Sequence, residues 1–251
     1  MMAENRTAFV TGASRGIGAA IALGLGARGY DVGLNDIPAQ EGELSPVADK
    51  IRAMGRKSEL YLGDVSLKVS CEGMAQKYLA DFGKIDALVN NAGFLIAGAV
   101  DRLPEEVWDK VLDVNAKGAF MMIQAFLPTM KAREYGRIVN IASIGGKHGA
   151  PEQAHYSASK ASIMGFSRVL AQEVGPLGVT VNCVCPGIIL TEMGRVNLED
   201  PAIREAWQDK TAMARIGAPE DVAGPTAFFC SDDSAFVTGQ TLNVDGGIVF
   251  T

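Results

Sequence analysis

Thr7-Ala8-Phe9-Val10-Thr11-Gly12-Ala13-Ser14-Arg15-Gly16-Ile17-Gly18 decides the fold. Thr7 to Val10 is an apolar run of strand length, and glycines follow at Gly12, Gly16 and Gly18. Ala19 to Arg28 then reads as a helix, with Ile17, Ala20, Ile21 and Leu25 inward and Gly29 as its stop. Strand, glycine turn and helix in that order make one βα unit. Glycine lets the turn bend tightly and lets a phosphate approach the N–H groups at the helix start.

The same alternation continues outward. Asp31 to Asn35 reads as a second strand ending at Asp36, and Ser58 to Leu62 as a third, closed by Gly63-Asp64. Ile85 to Asn90, Arg137 to Ile141, Val179 to Cys185 and Thr241 to Val244 complete seven strands. Helical spacing falls between them, at Leu44, Val47, Ile51 and Met54, and at Cys71, Met74, Ala75, Tyr78 and Phe82. Pro104 opens another helix with Glu105 and Glu106 in its first turn, as the helix dipole favours. Gly118 to Arg133 and His155 to Val174 are further helices. The pattern predicts an α/β protein with a doubly wound, seven-stranded parallel sheet and helices on both faces. No linker or repeat divides it, so residues 1–251 read as a single domain.

Composition narrows the function. Of 251 residues, 48% are hydrophobic and 21% charged, which suits a globular protein with a sizeable core. A net charge of -6 argues against a nucleic-acid binder, which needs a basic stripe. Cys183-Val184-Cys185 is not a zinc spacing, the other cysteines are Cys71 and Cys230, and only two histidines exist, so no metal site is expected. Buried free thiols, an N-terminus without an apolar signal core and no run of ~18 apolar residues predict a soluble cytoplasmic protein.

In doubly wound sheets ligands bind beyond the carboxyl ends of the strands. The glycine spacing is Gly-x-x-x-Gly-x-Gly rather than Gly-x-Gly-x-x-Gly. Asp36, about 20 residues on, strengthens a dinucleotide reading, because a carboxylate there accepts from ribose hydroxyls. It also repels a 2′-phosphate, and Ile37 beside it offers no cation, so NAD is favoured over NADP. Arg15 is the dissenting residue, unless it packs on the adenine side or pairs with a surface acid. Asp64 and Asn90-Asn91-Ala92-Gly93 also follow strands, where turn chemistry explains them equally well.

Tyr156 and Lys160 stand four apart on one helix face. A fixed ammonium beside a phenol lowers its pKa, so the pair is a candidate proton-transfer device. An ordinary amphipathic helix carries the same pair. Ser143 follows the fifth strand and can donate to a substrate oxygen. Asn115 falls mid-helix, where Asn competes for backbone hydrogen bonds, and invites a reason such as ordering a water beside Lys160.

Thr11-Gly12-x-x-x-Gly16-x-Gly18, Asn90-Asn91-Ala92-Gly93, Asn115, Ser143, Tyr156-x-x-x-Lys160 and Pro186-Gly187 together resemble the short-chain dehydrogenase/reductase family, in order and spacing, from Thr7 to Gly247. The resemblance implies a Rossmann fold and hydride transfer between nicotinamide and a carbonyl or secondary-alcohol carbon. It implies that Tyr156 is the general acid/base, that Lys160 lowers its pKa and holds the nicotinamide ribose, that Ser143 orients the substrate oxygen, and that Asn115 maintains a water-linked proton path. Gly12, Ser14, Arg15, Gly16, Ile17, Gly18, Asp36, Asp64, Val65, Asn91, Ala92 and Gly93 match positions around the adenosine and phosphates. Pro186, Gly187, Ile189 and Thr191 match the segment that grips the nicotinamide.

The polar segment 191–218 is expected to close over substrate, with Met193 reaching it, Ser143 to His148 (with Gly145) and Gly93-Phe94-Leu95 as the other walls, and His148 or Gln153 as contacts to a hydroxylated substrate. A solvated loop position is the plainer reading of His148. The favoured function is an NAD-dependent sugar, polyol or secondary-alcohol dehydrogenase. The alternative is an NADPH-dependent 3-oxoacyl-[acyl-carrier-protein] reductase, to which the chain is also similar. Family members of that type commonly carry arginine at the position of Gln172, and Met130 to Tyr135 keeps part of their basic cluster. A third reading, a non-catalytic dinucleotide-binding module, conflicts with the presence of all four chemical residues. Apolar residues on the helices around Met121 to Phe126 and Ile163 to Leu170, with the resemblance, imply a homotetramer with no membrane partner.

Overall fold

A computed structural model describes residues 5–195 and 198–250. Seven strands, β1 Thr7–Thr11, β2 Asp31–Asp36, β3 Ser58–Leu62, β4 Ala87–Asn90, β5 Gly136–Ile141, β6 Val179–Pro186 and β7 Thr241–Val244, form one sheet in the order β3-β2-β1-β4-β5-β6-β7. Every pairing is parallel. The helices are α1 Gly16–Gly26, α2 Glu41–Ala53, α3 Lys68–Phe82, α4 Glu105–Leu112, α5 Gly118–Ala132, α6 Gly145–His148, α7 Ala154–Val174, α8 Glu192–Arg195, α9 Pro201–Lys210 and α10 Pro219–Cys230.

Alternation along each strand divides the core. Val10, Val32, Leu34, Val89, Val139 and Val184 face α1, α2 and α10, where Ile21, Leu25, Leu44, Ile51, Val222 and Phe229 are buried with them. Phe9, Leu88, Ile138 and Val181 point the other way, onto Tyr78, Met122, Phe126, Leu170 and Val174 of α3, α5 and α7. Each such side chain contributes roughly 1.5–3 kcal/mol on burial. The central strands β1, β4, β5 and β6 are therefore dry on both faces, which is why they read as nearly continuous apolar runs. Gly33 has a steric reason of its own: a Cβ there would lie 2.7 Å from the Tyr78 ring and 2.9 Å from that of Tyr61.

α1 starts at Gly16, three residues before the apolar pattern suggests, because Gly16 takes φ +55° and turns the chain directly into the helix. Gly29, at φ +89°, ends that turn as expected. Strand order reverses between β1 and β4, so the loops after these two strands splay to opposite sides and leave a crevice. Gly12 follows β1 and Asn91 follows β4, and the two meet at the base of that crevice.

Candidate active site

The glycine loop is a cradle built without side chains. A Cβ on Gly18 would overlap the Gly12 carbonyl and lie 2.5 Å from Asn91 Nδ2. One on Gly12, itself at φ +63°, would sit 2.8 Å from Ala92 Cα. Asn91 locks the loop by donating to Thr11 O at 3.0 Å and Gly12 O at 2.9 Å. Thr11 Oγ1 accepts the N–H groups of both Asn91 and Ala92, each at 3.0 Å. α1 has no side-chain cap and no acidic residue in its first turn, so its free N–H groups face the crevice edge unneutralised. Such an end suits a pyrophosphate. Asp36 closes β2 beside it, accepting from Ser14 N at 3.2 Å and Ile37 N at 2.9 Å. These residues fit a nicotinamide dinucleotide.

Arg15, the dissenting residue, pairs across the crevice mouth: its Nη1 lies 2.6 Å from Glu192 Oε2 on α8. Gly16 and Thr191 touch at the same place, since a Cβ on Gly16 would be 3.3 Å from Thr191 Cγ2. Asp64 turns inward on its own loop, accepting from the N–H and the hydroxyl of Ser66 at 2.8 and 2.7 Å. Val65 is buried against Gly118. Pro186 ends β6, Gly187 N donates to Val244 O at 3.0 Å, and Ile189 bridges Gly217.

The chemical groups gather at the adjoining strand ends. Ser143 follows β5, and its side chain favours the ionised form of the Tyr156 hydroxyl. Ser143 Oγ also accepts Gly145 N at 3.0 Å. Lys160 is buried, and its Nζ donates to Ile141 O at 2.8 Å. The ammonium lies 5.7 Å from the centre of the Tyr156 ring. A Cβ on Gly93 would stand 3.5 Å from Lys160 Nζ and 3.6 Å from Asn115 Oδ1, so lysine, asparagine and the Gly93 backbone converge.

The expected electrostatics need correction here. Burial pushes the Tyr156 phenol up, and the neighbouring Ser143 side chain opposes this. Burial also pushes Lys160 down to about 8. Among the described residues no carboxylate pairs with it, and the buried thiols Cys185 and Cys183 bias it upward. The reason is depth: both groups lose water, and an ammonium 5.7 Å from the ring centre does not restore it.

Asn115 does not sit in an ordinary helix. Residues Asp113–Lys117 form a π turn between α4 and α5. The wider turn aims Asn115 at the loop after β4, where it accepts Phe94 N at 2.7 Å and donates to Phe94 O at 3.0 Å. It also donates to Ser159 Oγ at 3.1 Å, and Ser159 donates to Tyr156 O at 2.7 Å. Sequence reading missed Thr11, Ser159 and Glu192. Thr11 and Ser159 lie inside the quoted motifs, where a hydroxyl is easily passed over, and only the tertiary contact marks Glu192.

Of the expected substrate-side residues, Gly145 borders the pair directly, since its Cβ position is 3.3 Å from Ser143 Oγ and 3.8 Å from the Tyr156 ring. His148 is exposed and its Nδ1 is 2.7 Å from Gly149 O, engaged by its own loop. Gln153 is the N-cap residue of α7. The Met193 side chain and all of Val196 lie outside the described residues. The four cysteines are buried and unpaired, and burial holds Cys71 and Cys183 up at about 11.

A profile of the family described as enoyl-(acyl carrier protein) reductase matches residues 12–249. The chain belongs to the short-chain dehydrogenase/reductase family. This dehydrogenase/reductase is 37% identical over 244 residues to the 3-oxoacyl-[acyl-carrier-protein] reductase FabG of Staphylococcus epidermidis, covering 97% of this chain and 99% of that one. A crystal structure from Sinorhizobium meliloti 1021, assigned as a short-chain alcohol dehydrogenase, superposes with a TM-score of 0.93 at 34% identity, over 97% of this chain and 96% of that one. One from Agrobacterium tumefaciens, assigned as a gluconate dehydrogenase, gives 0.92 at 31%, over 97% and 95%. The fold is thus the doubly wound α/β fold of this family, and the protein is an NAD(P)-dependent oxidoreductase acting on CH–OH groups.

Proposed function

We propose that the enzyme interconverts a secondary alcohol and a ketone with NAD(H), the substrate being a small polar alcohol such as a sugar, polyol or hydroxy acid. The nicotinamide supplies the hydride chemistry. Tyr156 donates or accepts the proton at the substrate oxygen, and Ser143 shares that oxygen. Lys160 and Asn115 carry the proton path behind the phenol. Gly12, Gly16 and Gly18 admit the pyrophosphate, and Asp36 holds the adenosine ribose.

The observation that supports NAD is the placement of charge beside the ribose position. Asp36 stands there with its carboxylate fixed by two backbone N–H groups. Arg15, the nearby cation, is matched by Glu192. A 2′-phosphate would meet a carboxylate and a neutralised arginine.

The likeness to the staphylococcal reductase favours a second reading, reduction of 3-oxoacyl groups on an acyl-carrier protein. One feature weighs against it. Arg133, in the partial basic cluster, is committed to Ile85 O and Asp86 Oδ1, both at 2.8 Å, so its charge is already matched by a carboxylate of the same chain before an acidic carrier meets it. Position 172 is an exposed glutamine.

The segment 191–218 serves as the substrate lid in this reading, built from α8 and α9 and tied to the cofactor loop through Arg15. Phe120 and Val169 on α5 and α7, and Leu242 on the edge strand β7, are each 40% exposed or more. They supply the apolar faces of a homotetramer. Four unpaired buried thiols suit a reducing cytoplasm, and no described helix is long and apolar enough to cross a membrane.

The test is absorbance at the NADH band with NAD and a panel of aldoses, polyols, hydroxy acids and secondary alcohols, then with NADP, and in reverse with NADPH and 3-oxoacyl thioesters. Turnover of one panel alcohol with NAD is expected. Higher efficiency on 3-oxoacyl thioesters with NADPH would decide for the second reading.

A further inference from the structure

His155 immediately precedes Tyr156, and the proposed chemistry gives it no part. It is fully buried. Its Nε2 lies 2.8 Å from Ile96 O. A carbonyl can only accept, so the ring must carry its proton on Nε2. Nδ1 is buried without a partner. The ring stacks on Trp108 of α4, with centroids 6.5 Å apart and planes at 27°. A buried polar ring adjacent to the acid/base, with half its hydrogen-bonding capacity idle, calls for a reason beyond packing.

The reason is the segment it holds. Between β4 and the short turn at Val100–Arg102 lie nine residues without regular structure. They begin at Asn91-Ala92-Gly93, beside Lys160 and Asn115, and run across the start of α7. Three ties fasten them at alternate residues. Asn115 holds both backbone groups of Phe94. His155 holds Ile96 O. Glu152 O accepts Gly98 N at 2.8 Å. Glu152 itself sits at φ +62°, a left-handed position costly for glutamate, so the last tie is made under strain.

The same ties fix the helix end. α7 has no side-chain cap at Gln153 and no acidic residue in its first turn. That first turn carries His155 and Tyr156. An uncapped turn frays unless tertiary contacts hold it. Here the contacts come from the post-β4 segment, through His155 in the middle of the ladder.

We propose that residues 94–98, which continue from Gly93 beside Lys160 and Asn115, wall the substrate pocket, and that His155 is a positioning residue: through its single bond to Ile96 O it sets the distance between that wall and the Tyr156 phenol. The inference rests on Tyr156 being the acid/base. Its effect falls on the carbonyl or alcohol substrate and spares the dinucleotide, whose cradle lies on the other side of Gly93.

The experiment compares three substitutions with wild type. His155→Leu keeps volume and removes the donor. His155→Asn keeps a polar amide, but its nitrogen reaches only where Nδ1 was, short of Ile96 O. In His155→Gln the amide nitrogen falls where Nε2 was, so the bond is rebuilt. Hydrogen exchange of the peptide spanning 93–99 is read by mass spectrometry, NADH affinity by fluorescence, and kcat and KM on the alcohol of the panel above with the fastest wild-type turnover. Leu and Asn variants should exchange about tenfold faster in this peptide, the loss of one hydrogen bond. Their KM should rise about tenfold, as a misplaced wall predicts. NADH affinity should stay within about twofold, and Gln should restore both exchange and KM. If Leu fails to fold, the Asn and Gln pair carries the comparison alone. Equal KM in all variants, with only a lower melting temperature, overturns the proposal, as does a Gln variant no better than Asn. A Tyr156→Phe control separates the two claims: full turnover there overturns the acid/base reading, whereas a dead control beside an unaffected His155→Asn overturns only this inference.

Discussion

Asn115 and Phe94 exchange two hydrogen bonds, the Phe94 N–H donating to Oδ1 at 2.7 Å and Nδ2 donating back to the Phe94 carbonyl at 3.0 Å. A side chain thus stands in for a neighbouring strand, and both backbone groups of an irregular loop are satisfied by one residue on a π turn. Asn115→Leu would leave two backbone groups of Phe94 and Ser159 Oγ without their partner. Stability should fall by about 2–4 kcal/mol, since each unsatisfied group costs about 1–3 kcal/mol and the loop regains some water. Turnover should fall about a hundredfold, because the lysine side of the site loses its wall. Urea denaturation and steady-state kinetics check the two separately. Near-native stability with lost turnover would show that Asn115 acts in chemistry alone.

Lys160 is a group whose role costs stability. Its folded-state pKa is about 8 against an ordinary 10.5. Between those values the unfolded chain binds more protons than the folded one, so stability rises with pH there, and below about pH 8 the full cost applies. That cost is about 3 kcal/mol. Lys160→Met should abolish turnover yet stabilise the protein at pH 7 by about 1–3 kcal/mol, the lost bond to Ile141 O offsetting part of the gain. The advantage should shrink as pH rises toward 10. Denaturation midpoints of both proteins at the two pH values measure it, and a wild type more stable than the variant at pH 7 contradicts it.

Tyr156 is pushed up by burial, so at neutral pH it is held as the phenol. Ketone reduction uses that acid form and should keep its rate between about pH 6 and 8. Alcohol oxidation uses the phenolate and should climb through the same range. Tyr156→Phe should lower turnover about a thousandfold in both directions and still bind NADH. Initial rates in the two directions across pH give the answer; parallel pH profiles would remove Tyr156 as the titrating group.

Asp36 and Glu192 act together on the cofactor. Asp36→Ala removes the charge that meets a 2′-phosphate, and Glu192→Gln releases Arg15 from its ion pair. The first should improve NADPH affinity by at least about tenfold. The second should improve it about threefold, since both partners of that pair are more than half exposed and screened. NADH affinity should weaken with the first and hold with the second. Titration of cofactor fluorescence reads all four constants, and a Glu192→Gln protein with unchanged NADPH affinity would leave Asp36 as sole determinant.

Much of this was legible in the chain alone. Valine and isoleucine runs broken by glycine, and helical stripes between them, determined a parallel sheet covered on both sides, because only a doubly buried strand is apolar at successive positions. Gly12, Gly16 and Gly18, Asp36, Ser143 and the Tyr156 and Lys160 pair stand directly after strands or one helical turn apart, and local spacing is enough to place them. Tertiary structure alone decided the rest. Asn115 reads as a misplaced helix residue until the π turn aims it at Phe94. His155 reads as a neighbour of Tyr156 until Ile96, 59 positions away, meets its ring. Glu192 reads as one acid among many until it finds Arg15. The charge states of Tyr156 and Lys160 belong to the same class: spacing predicted an ammonium acting on a phenol, whereas depth of burial moved both. Periodicity and spacing report on neighbours along the chain, and burial and partnership are set by segments that only the closed sheet brings together.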